Sequence, residues 1–210
     1  GSNAGENVDV SANGPRVLFT RNIASIVMDF DGIERLNFRA LGGVDNVTVG
    51  ELGGTDVKSV DVDLDGFGGV GDESADTVTA LGTHGADAAK FTSADGRQIV
   101  SGLGALTRVT GGEEALDSVG AATLGGADSF AMSVGTTGAI PFFADGGDDL
   151  DEVRYTGTPD ADSIGLARNG TRAAVFAPGT ALLNVLAEHI LVQGLGGADT
   201  IAGQNGLATI

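Results

Sequence analysis

The chain has 210 residues, of which 36 are glycine, nine are phenylalanine, one is tyrosine and none is tryptophan or cysteine. So few large side chains exclude a conventional thick core, whereas an apolar content of 41% is too high for a disordered chain. The lack of cysteine excludes disulfides and thiol chemistry. A formal charge of −18 disfavours nucleic acid as a partner. No apolar run reaches the ~18 to 20 residues that a membrane span requires.

A long period of about 76 residues runs along the chain, because related segments begin at Phe19, Val100 and Phe176. Residues 1–4 precede it and resemble a remnant of an expression vector. The period predicts a first unit over residues 5–82, a second over 83–157 and a third over 158–210. Since the third unit stops in mid-pattern, we expect the chain to be part of a longer array, whose terminal repeats would carry a polar cap.

A shorter period overlies the long one. Five acidic residues are each followed, eleven residues later, by an aspartate: Glu34 and Asp45, Asp76 and Asp87, Asp117 and Asp128, Asp151 and Asp162, Glu188 and Asp199. An apolar residue lies two places after each of these acids, and glycines lie between them. The pattern predicts an apolar strand, a glycine-rich turn, an aspartate and a second apolar strand. Its recurrence at intervals of 34 to 42 residues indicates stacked repeats.

These periods predict an all-β protein, a right-handed parallel β-solenoid built from ~38-residue repeats. The alternative is a string of tandem β-sandwiches, one per long unit, because each unit contains about seven strand-like runs. In the solenoid, the inter-strand spacing of ~4.8 Å predicts a single buried file that contains Val119, Val153 and Ile190.

The first dense group of acids lies in residues 61–72 and resembles an EF-hand loop. Candidate calcium ligands are the carboxylates of Asp61, Asp63, Asp65 and Asp72 and the carbonyl of Phe67. The preceding residues alternate with period two, which predicts a strand and not the helix of a true EF-hand. A calcium loop carried by a strand, and a strand whose valines face inward and whose aspartates face water, both remain open.

The second dense group lies in residues 145–152. It supplies Asp145, Asp148, Asp149 and Asp151 as candidate calcium ligands, and the related stretch of the first unit adds Asp76. Calcium is favoured because two carboxylates ~4 Å apart repel by about 4 kcal/mol at an effective dielectric of 20. Isolated turn aspartates such as Asp45 and Asp128 have a simpler interpretation, because a short carboxylate can accept hydrogen bonds from backbone N–H groups.

The sequence GLGGADTI at residues 194–201 is similar to the glycine-rich nonapeptide of hemolysin-type (RTX) calcium-binding repeats. Residues 146–153 also match, and weaker matches lie at 41–47, 82–89, 124–130 and 157–164. The resemblance implies a parallel β-roll in a secreted bacterial protein, with Ca²⁺ held between turns by carbonyls and aspartates, and it adds Asp199 to the candidate ligands. It covers about a quarter of the chain, and the matches are ~38 residues apart instead of in tandem.

Catalysis has little support in the sequence. The two histidines, His84 and His189, are far apart and have no apparent partner of the triad or zinc kind. We therefore expect a non-enzymatic, calcium-binding structural or adhesive segment of a larger bacterial protein, secreted or at the cell surface, with surface proteins or glycans as further partners. The alternatives are a β-helical carbohydrate-active enzyme, with carboxylates such as Asp148 and Asp151 at its site, and an ion-independent solenoid.

Overall fold

The computed structural model describes residues 1–204 and is all-β, with one short 3-10 turn at Ile23–Ser25. The third predicted unit therefore extends beyond the described residues at positions 205–210. No helix within residues 1–204 has the length and apolar character needed to cross a membrane. The described part contains nineteen strands: β1 (Asn7–Asn13), β2 (Arg16–Arg21), β3 (Ile26–Phe30), β4 (Arg35–Arg39), β5 (Asn46–Val49), β6 (Ser59–Asp63), β7 (Thr77–Leu81), β8 (Ala88–Ala94), β9 (Arg97–Ser101), β10 (Leu106–Thr110), β11 (Ser118–Ala122), β12 (Ser129–Ser133), β13 (Phe142–Asp145), β14 (Glu152–Thr156), β15 (Ser163–Asn169), β16 (Arg172–Phe176), β17 (Leu183–Leu186), β18 (His189–Gln193) and β19 (Thr200–Gly203).

Within the described residues the strands form two large sheets. The eleven-stranded sheet has the order β19-β15-β16-β17-β13-β11-β7-β5-β1-β2-β3, and the eight-stranded sheet has the order β18-β14-β12-β8-β9-β10-β6-β4. Most neighbouring strands in both sheets are parallel, as in the pairs β5–β7 and β12–β14. Each sheet takes strands from all three predicted units, which separate tandem sandwiches would not share.

Every copy of the eleven-residue motif takes the chain from one sheet to the other. The crossings are β4 to β5, β7 to β8, β11 to β12, β14 to β15 and β18 to β19. The predicted order of strand, glycine turn, aspartate and strand is therefore confirmed. Parallel neighbours follow from this arrangement, because two parallel strands cannot be joined by a tight hairpin and need a crossover.

Among residues 1–204, antiparallel pairing is confined to three meanders, which contain β1–β3, β8–β10 and β15–β17. The first and third meanders lie in the eleven-stranded sheet, and the second lies in the eight-stranded sheet. Tight turns make them possible: in the loop between β8 and β9, Asp95 and Gly96 have φ of 53° and 72°, as a two-residue hairpin turn requires. The predicted unit boundaries after residues 82 and 157 fall just before the second and third meanders.

A single core lies between the two sheets. Inward residues alternate with outward residues along the strands, and rings meet across the core, as for Phe91 and Phe142 with centroids 5.2 Å apart. In β6 and the residue after it, Val60, Val62 and Leu64 are all buried, so the predicted strand with inward apolar residues is confirmed.

The predicted file of Val119, Val153 and Ile190 is wrong. Val153 and Ile190 are neighbours in the eight-stranded sheet, but Val119 lies in the other sheet between Val78 and Phe142. No meander lies between β11 and β14, so the chain makes three crossings from Val119 to Val153 and ends in the opposite sheet. The meander β15–β17 stays within one sheet, so only two crossings separate Val153 from Ile190. Successive motif copies therefore begin in the same sheet where a meander lies between them, and in opposite sheets where none does.

A phenylalanine should contribute to stability only where its ring is buried in the core between the two sheets. We expect Phe142→Ala, at a fully buried position, to lower the free energy of unfolding by about 3 to 5 kcal/mol. Phe67→Ala is the matched control, because this ring is 88% exposed and should change stability by less than about 0.5 kcal/mol. Urea denaturation of both variants measures the difference, and equal losses would contradict a core between the sheets.

Candidate functional site

Acidic residues stack in register where the chain enters successive strands. In the first carboxylate ladder, each acid donates its backbone N–H to the carboxylate of the acid in the next layer: Glu6 to Asp45 at 2.7 Å, Asp45 to Asp76 at 2.8 Å and Asp76 to Asp117 at 2.7 Å. All four side chains are at most 2% exposed. The ladder is therefore a buried column of carboxyl groups that runs across the layers.

A second carboxylate ladder has the same geometry. Asp87 donates its N–H to Asp128 at 2.7 Å, Asp128 to Asp151 at 2.8 Å, and Asp151 to Glu188 at 3.0 Å. A further pair joins the N–H of Asp162 to Asp199 at 3.0 Å. These acids fix neighbouring layers to one another as well as shaping their own turns.

The second carboxylate oxygen divides the aspartates into two classes. In Asp87, Asp117 and Asp162 one carboxylate oxygen accepts the N–H of the residue four places earlier, at 2.6 Å in each case. The donors are Thr83, Glu113 and Thr158. In Asp45, Asp128 and Asp151 this oxygen is buried and has no hydrogen-bond partner among the described residues. A buried polar atom without a partner costs about 1 to 3 kcal/mol, so these three carboxyl groups are poised for a cation or a proton.

Local sequence explains the difference at Asp45 and Asp128. Both follow the sequence Leu-Gly-Gly, and the leucines four places earlier, Leu41 and Leu124, have φ of 78° and 63°. Neither leucine donates its N–H to the aspartate that follows. A left-handed conformation at a residue other than glycine costs roughly 1 to 2 kcal/mol, and such strain is typical of functional sites.

The second glycine of each Leu-Gly-Gly turn lies against the neighbouring layer. Gly126 has φ of 103°, and a Cβ there would lie 2.7 Å from the carbonyl carbon of Gly85. Gly43 has φ of 92°, and a Cβ there would lie 2.6 Å from the backbone nitrogen of Gly5. Glycine is therefore required for both conformation and space.

An acid from one of the two dense groups meets each of the Leu-Gly-Gly turns at 41–43 and 124–126. The carboxylate of Asp72 accepts the N–H of Gly43 at 2.7 Å, and that of Asp149 accepts the N–H of Gly126 at 3.2 Å. Two equivalent constellations result. Site I consists of turn 41–45 with Asp72 and Asp76, and site II consists of turn 124–128 with Asp149 and Asp151.

Burial and mutual repulsion make these carboxyl groups weak acids. Burial raises the pKa of Asp45 from 3.8 to about 6, and the charges of Glu6 and Asp72 add to the rise against the hydrogen bond from the N–H of Glu6. Burial likewise raises the pKa of Asp76 from 3.8 to about 7, helped by the charges of Asp117, Asp45 and Asp72. Burial is also the main reason that the pKa values of Asp117 and Asp151 are raised.

Four of the predicted metal ligands thus lie in sites I and II: Asp72, Asp76, Asp149 and Asp151. Others lie elsewhere. Asp61 and Asp63 are on the outer face of the eight-stranded sheet, paired with arginines, and Asp145 pairs with Arg172 at 2.9 Å.

The remaining predicted ligands are peripheral to sites I and II. Asp148 is exposed, the ring of Phe67 is 88% exposed, and Asp65 donates its backbone N–H to Asp63. Asp199 is half-buried in its pair with Asp162. Among residues 1–204, no group of three or more acidic or histidine side chains is arranged as it stands to hold a metal ion. The assignment of these residues as ligands stays a prediction.

Sequence reasoning did not include Glu6, Asp45 and Asp128 among the candidate ligands. The missed signal was the shared Leu-Gly-Gly before Asp45 and Asp128, which distinguishes these turns from the ones before Asp87, Asp117 and Asp162. Both histidines are exposed, His84 in a turn and His189 at the start of β18.

Comparison with protein-family models, with curated proteins and with solved structures finds no match to this chain. The resemblance to hemolysin-type repeats is therefore carried by the quoted motifs alone.

The raised pKa values predict a pH-dependent stability. A carboxyl whose pKa is higher in the folded state stabilises the fold fully below its unfolded pKa and loses that contribution as pH rises through its folded pKa. For Asp45 and Asp76 the window runs from 3.8 to about 6 and about 7. We expect the free energy of unfolding, measured by urea denaturation without divalent cations, to fall across this window.

Asp76→Asn isolates the contribution of the ladder from that of the net charge. Asparagine keeps an oxygen acceptor for the N–H of Asp45 but does not titrate, so stability should depend less steeply on pH. Asp56→Asn, at an exposed position, controls for the loss of one negative charge. A slope in Asp76→Asn that equals the control's slope would contradict a proton-binding ladder.

Close packing of the Leu-Gly-Gly turn predicts that Gly126→Ala is strongly destabilising. Gly135→Ala is the matched control, because Gly135 also has a positive φ, 86°, but its Cβ would meet nothing within 4 Å. We expect the control to cost about 1 kcal/mol from backbone strain alone and Gly126→Ala to cost clearly more. Thermal melting followed by circular dichroism compares the two, and equal losses would show that the approach to Gly85 is unimportant.

Proposed function

We propose that this chain is a non-enzymatic structural segment of a larger secreted or surface-exposed bacterial protein, and that sites I and II bind calcium. The observation that carries this proposal is the set of buried, unpartnered carboxylate oxygens of Asp45, Asp128 and Asp151. A second component is the winding of the two sheets as a right-handed solenoid. It is supported by the parallel pairing of successive crossings, since crossovers between parallel strands are overwhelmingly right-handed.

Calcium suits these sites better than other cations. It takes six to eight oxygens in flexible geometry and accepts carbonyls and water beside carboxylates. Sites I and II offer carboxylates next to a glycine turn, whose carbonyls are not blocked by side chains. A full cage of acidic side chains is therefore unnecessary, which is compatible with the lack of a ready-made acidic cluster among residues 1–204.

Electrostatics supports a role where calcium is abundant. At a formal charge of −18, self-repulsion opposes the compact state, and the stacked carboxylates concentrate that repulsion inside the fold. Calcium bound only by the folded state would stabilise it by mass action. Outside the cell the segment would be rigid, whereas in a calcium-poor compartment it would be loosened.

A structural role is supported by the recurrence of the acids. The N–H to carboxylate hydrogen bonds repeat from layer to layer, while a catalytic site is usually a single constellation. Adhesive partners such as surface proteins or glycans belong to the same proposal, because a rigid stack presents the outer faces of both sheets.

The test is to add calcium to the 210-residue chain at pH 7.5 and to measure both the melting temperature and, by isothermal titration, the heat of binding. We expect a rise of several degrees, because a free concentration of 100 times Kd adds about 2.7 kcal/mol, and about 2 to 4 °C accompanies each kcal/mol in a protein of this size. Chelator should reverse the rise.

Matched variants locate the ions. Asp45→Asn and Asp128→Asn should each reduce the calcium-induced rise. Asp87→Asn should not, because one oxygen of Asp87 accepts the N–H and the hydroxyl of Thr83, and Asp87 has no buried oxygen without a partner. Absence of calcium uptake at millimolar concentration, or equal responses in all three variants, would refute the calcium sites.

A further inference from the structure

A basic groove lies on the outer face of the eight-stranded sheet, away from both carboxylate ladders. It crosses β4, β6 and β10, has a volume of about 200 Å³, and is lined by Arg35, Arg39, Arg97, Arg108, Asp61 and Asp63 among others. Four of the chain's eleven basic residues meet here against two carboxylates. In a chain of formal charge −18 this groove is a local positive region.

The aspartates hold the arginines by one edge only. Asp61 pairs with Nε of Arg35 at 2.7 Å and with Nε of Arg108 at 2.9 Å, and Asp63 pairs with Nε of Arg39 at 3.0 Å. Hydrogen bonds from Arg35 and Arg108 outweigh burial and lower the pKa of Asp61. Among residues 1–204, the terminal Nη groups of Arg35 and Arg39 have no hydrogen-bond partner. They are oriented guanidinium forks with their donors unused.

Comparison of the three meanders shows that Arg97 departs from the structural pattern. The middle strand of each meander begins with an arginine: Arg16, Arg97 and Arg172. Arg16 pairs with Asp29 at 2.9 Å, and Arg172 pairs with Asp145 at 2.9 Å. Arg97 forms no ion pair among the described residues.

Strand register explains why Arg97 lacks a carboxylate. In the first meander Asp29 of β3 lies opposite Leu18, and in the second meander Arg108 of β10 occupies the equivalent position opposite Ile99. The acid that neutralises Arg16 is thus replaced by a further arginine. The replacement adds a positive charge to the groove.

We propose that this groove binds an acidic polysaccharide, through a carboxylate- or sulfate-bearing sugar held by the free guanidinium forks of Arg35, Arg39 and Arg97. Arginine forks match the planar, bidentate geometry of carboxylate and the oxygens of sulfate. Asn37 and Thr110 also line the groove and offer amide and hydroxyl groups to sugar hydroxyls.

The position of the groove favours a sugar over a peptide or a nucleic acid. It lies on the face of a sheet in which β6 and β10 are paired on both sides. A peptide strand could be added only along the outer edge of β4, beside the groove and not in it. A nucleic acid needs a long basic surface, and the acidic remainder of the chain would repel it. The volume suits a single sugar ring better than a larger compact ligand.

The experiment is a titration of the folded chain at low ionic strength with three octasaccharides: polygalacturonate, which carries only carboxylates, chondroitin sulfate, which also carries sulfates, and neutral dextran. We expect one or both acidic probes to bind and dextran not to bind, and comparison of the two acidic probes identifies the favoured anion. Calcium sites play no part in this proposal, so the titration is repeated with Asp128→Asn, which should bind the sugar as the unmodified chain does.

Variants test the forks. Arg97→Ala and Arg39→Ala should weaken binding by about tenfold or more, and Arg39→Lys, which keeps the charge but loses the fork, should also weaken it. Arg16→Ala is the matched control, because Arg16 occupies the same place in the first meander but lies outside the groove, and it should bind normally. Circular dichroism verifies that each variant is folded.

Several outcomes would overturn the proposal. Failure of both acidic octasaccharides to bind is one. Equal weakening by Arg16→Ala and Arg97→Ala would indicate a general charge effect. A glutamate octapeptide or a single-stranded oligonucleotide that binds the groove as tightly as the sugars would show that a polysaccharide is not its ligand.

Discussion

The hydrogen bond from one acid's backbone N–H to the carboxylate of the acid in the next layer is the interaction on which the architecture depends. A chain that crosses between two parallel sheets leaves an N–H without a ladder partner each time it enters a strand. Asp45, Asp76, Asp128 and Asp151 provide that partner across layers at 2.7 to 2.8 Å. The same bond that aligns the layers also brings carboxyl groups into a buried column, so structural order and charge repulsion have one origin.

At some aspartates the fold does not satisfy both carboxylate oxygens, and these aspartates define the candidate site. Where the second oxygen accepts an N–H from its own turn, as in Asp117 and Asp162, both carboxylate oxygens are satisfied by the fold alone. In Asp45 and Asp128, which follow Leu-Gly-Gly turns, the oxygen is buried without a partner and the leucine is strained. At one end of the first ladder Arg21 lies 3.4 Å from Glu6 and offsets part of the charge. Asp45 and Asp76, further along, are buried beside other acids, and burial first and the neighbouring charges second raise their pKa values.

Sequence periodicity predicted what is local and missed what depends on neighbours in space. The alternation around Val60 and Val62 and the strand–turn–aspartate–strand order follow from short windows, and both are confirmed. The sheet to which Val119 belongs could not be predicted, because it depends on whether a meander lies between two motif copies, and the motif spacing does not show this. The partners of Asp61 could not be predicted either, since Arg35 and Arg108 are 26 and 47 residues away in the chain. Period and composition reveal the repeat, but register decides which acids meet acids and which meet arginines.

The alternation of the meanders has a consequence for every surface of this protein. From β1 to β7 and from β8 to β14 there are seven strands, an odd number, so each meander starts in the opposite sheet to the previous one. At each junction the last strand of a meander pairs with an earlier strand of the same sheet. Equivalent junctions therefore lie in opposite sheets: β6 beside β10 lies in the eight-stranded sheet, and β13 beside β17 lies in the eleven-stranded sheet. At the second junction Arg172 pairs with Asp145 and lies 5.9 Å from the ring centre of Phe143, and this junction is neutralised. A surface feature can thus recur on one face only after two meanders. At these two junctions the equivalent positions hold Arg108 and Asn184, so the first has a positive charge that the second lacks.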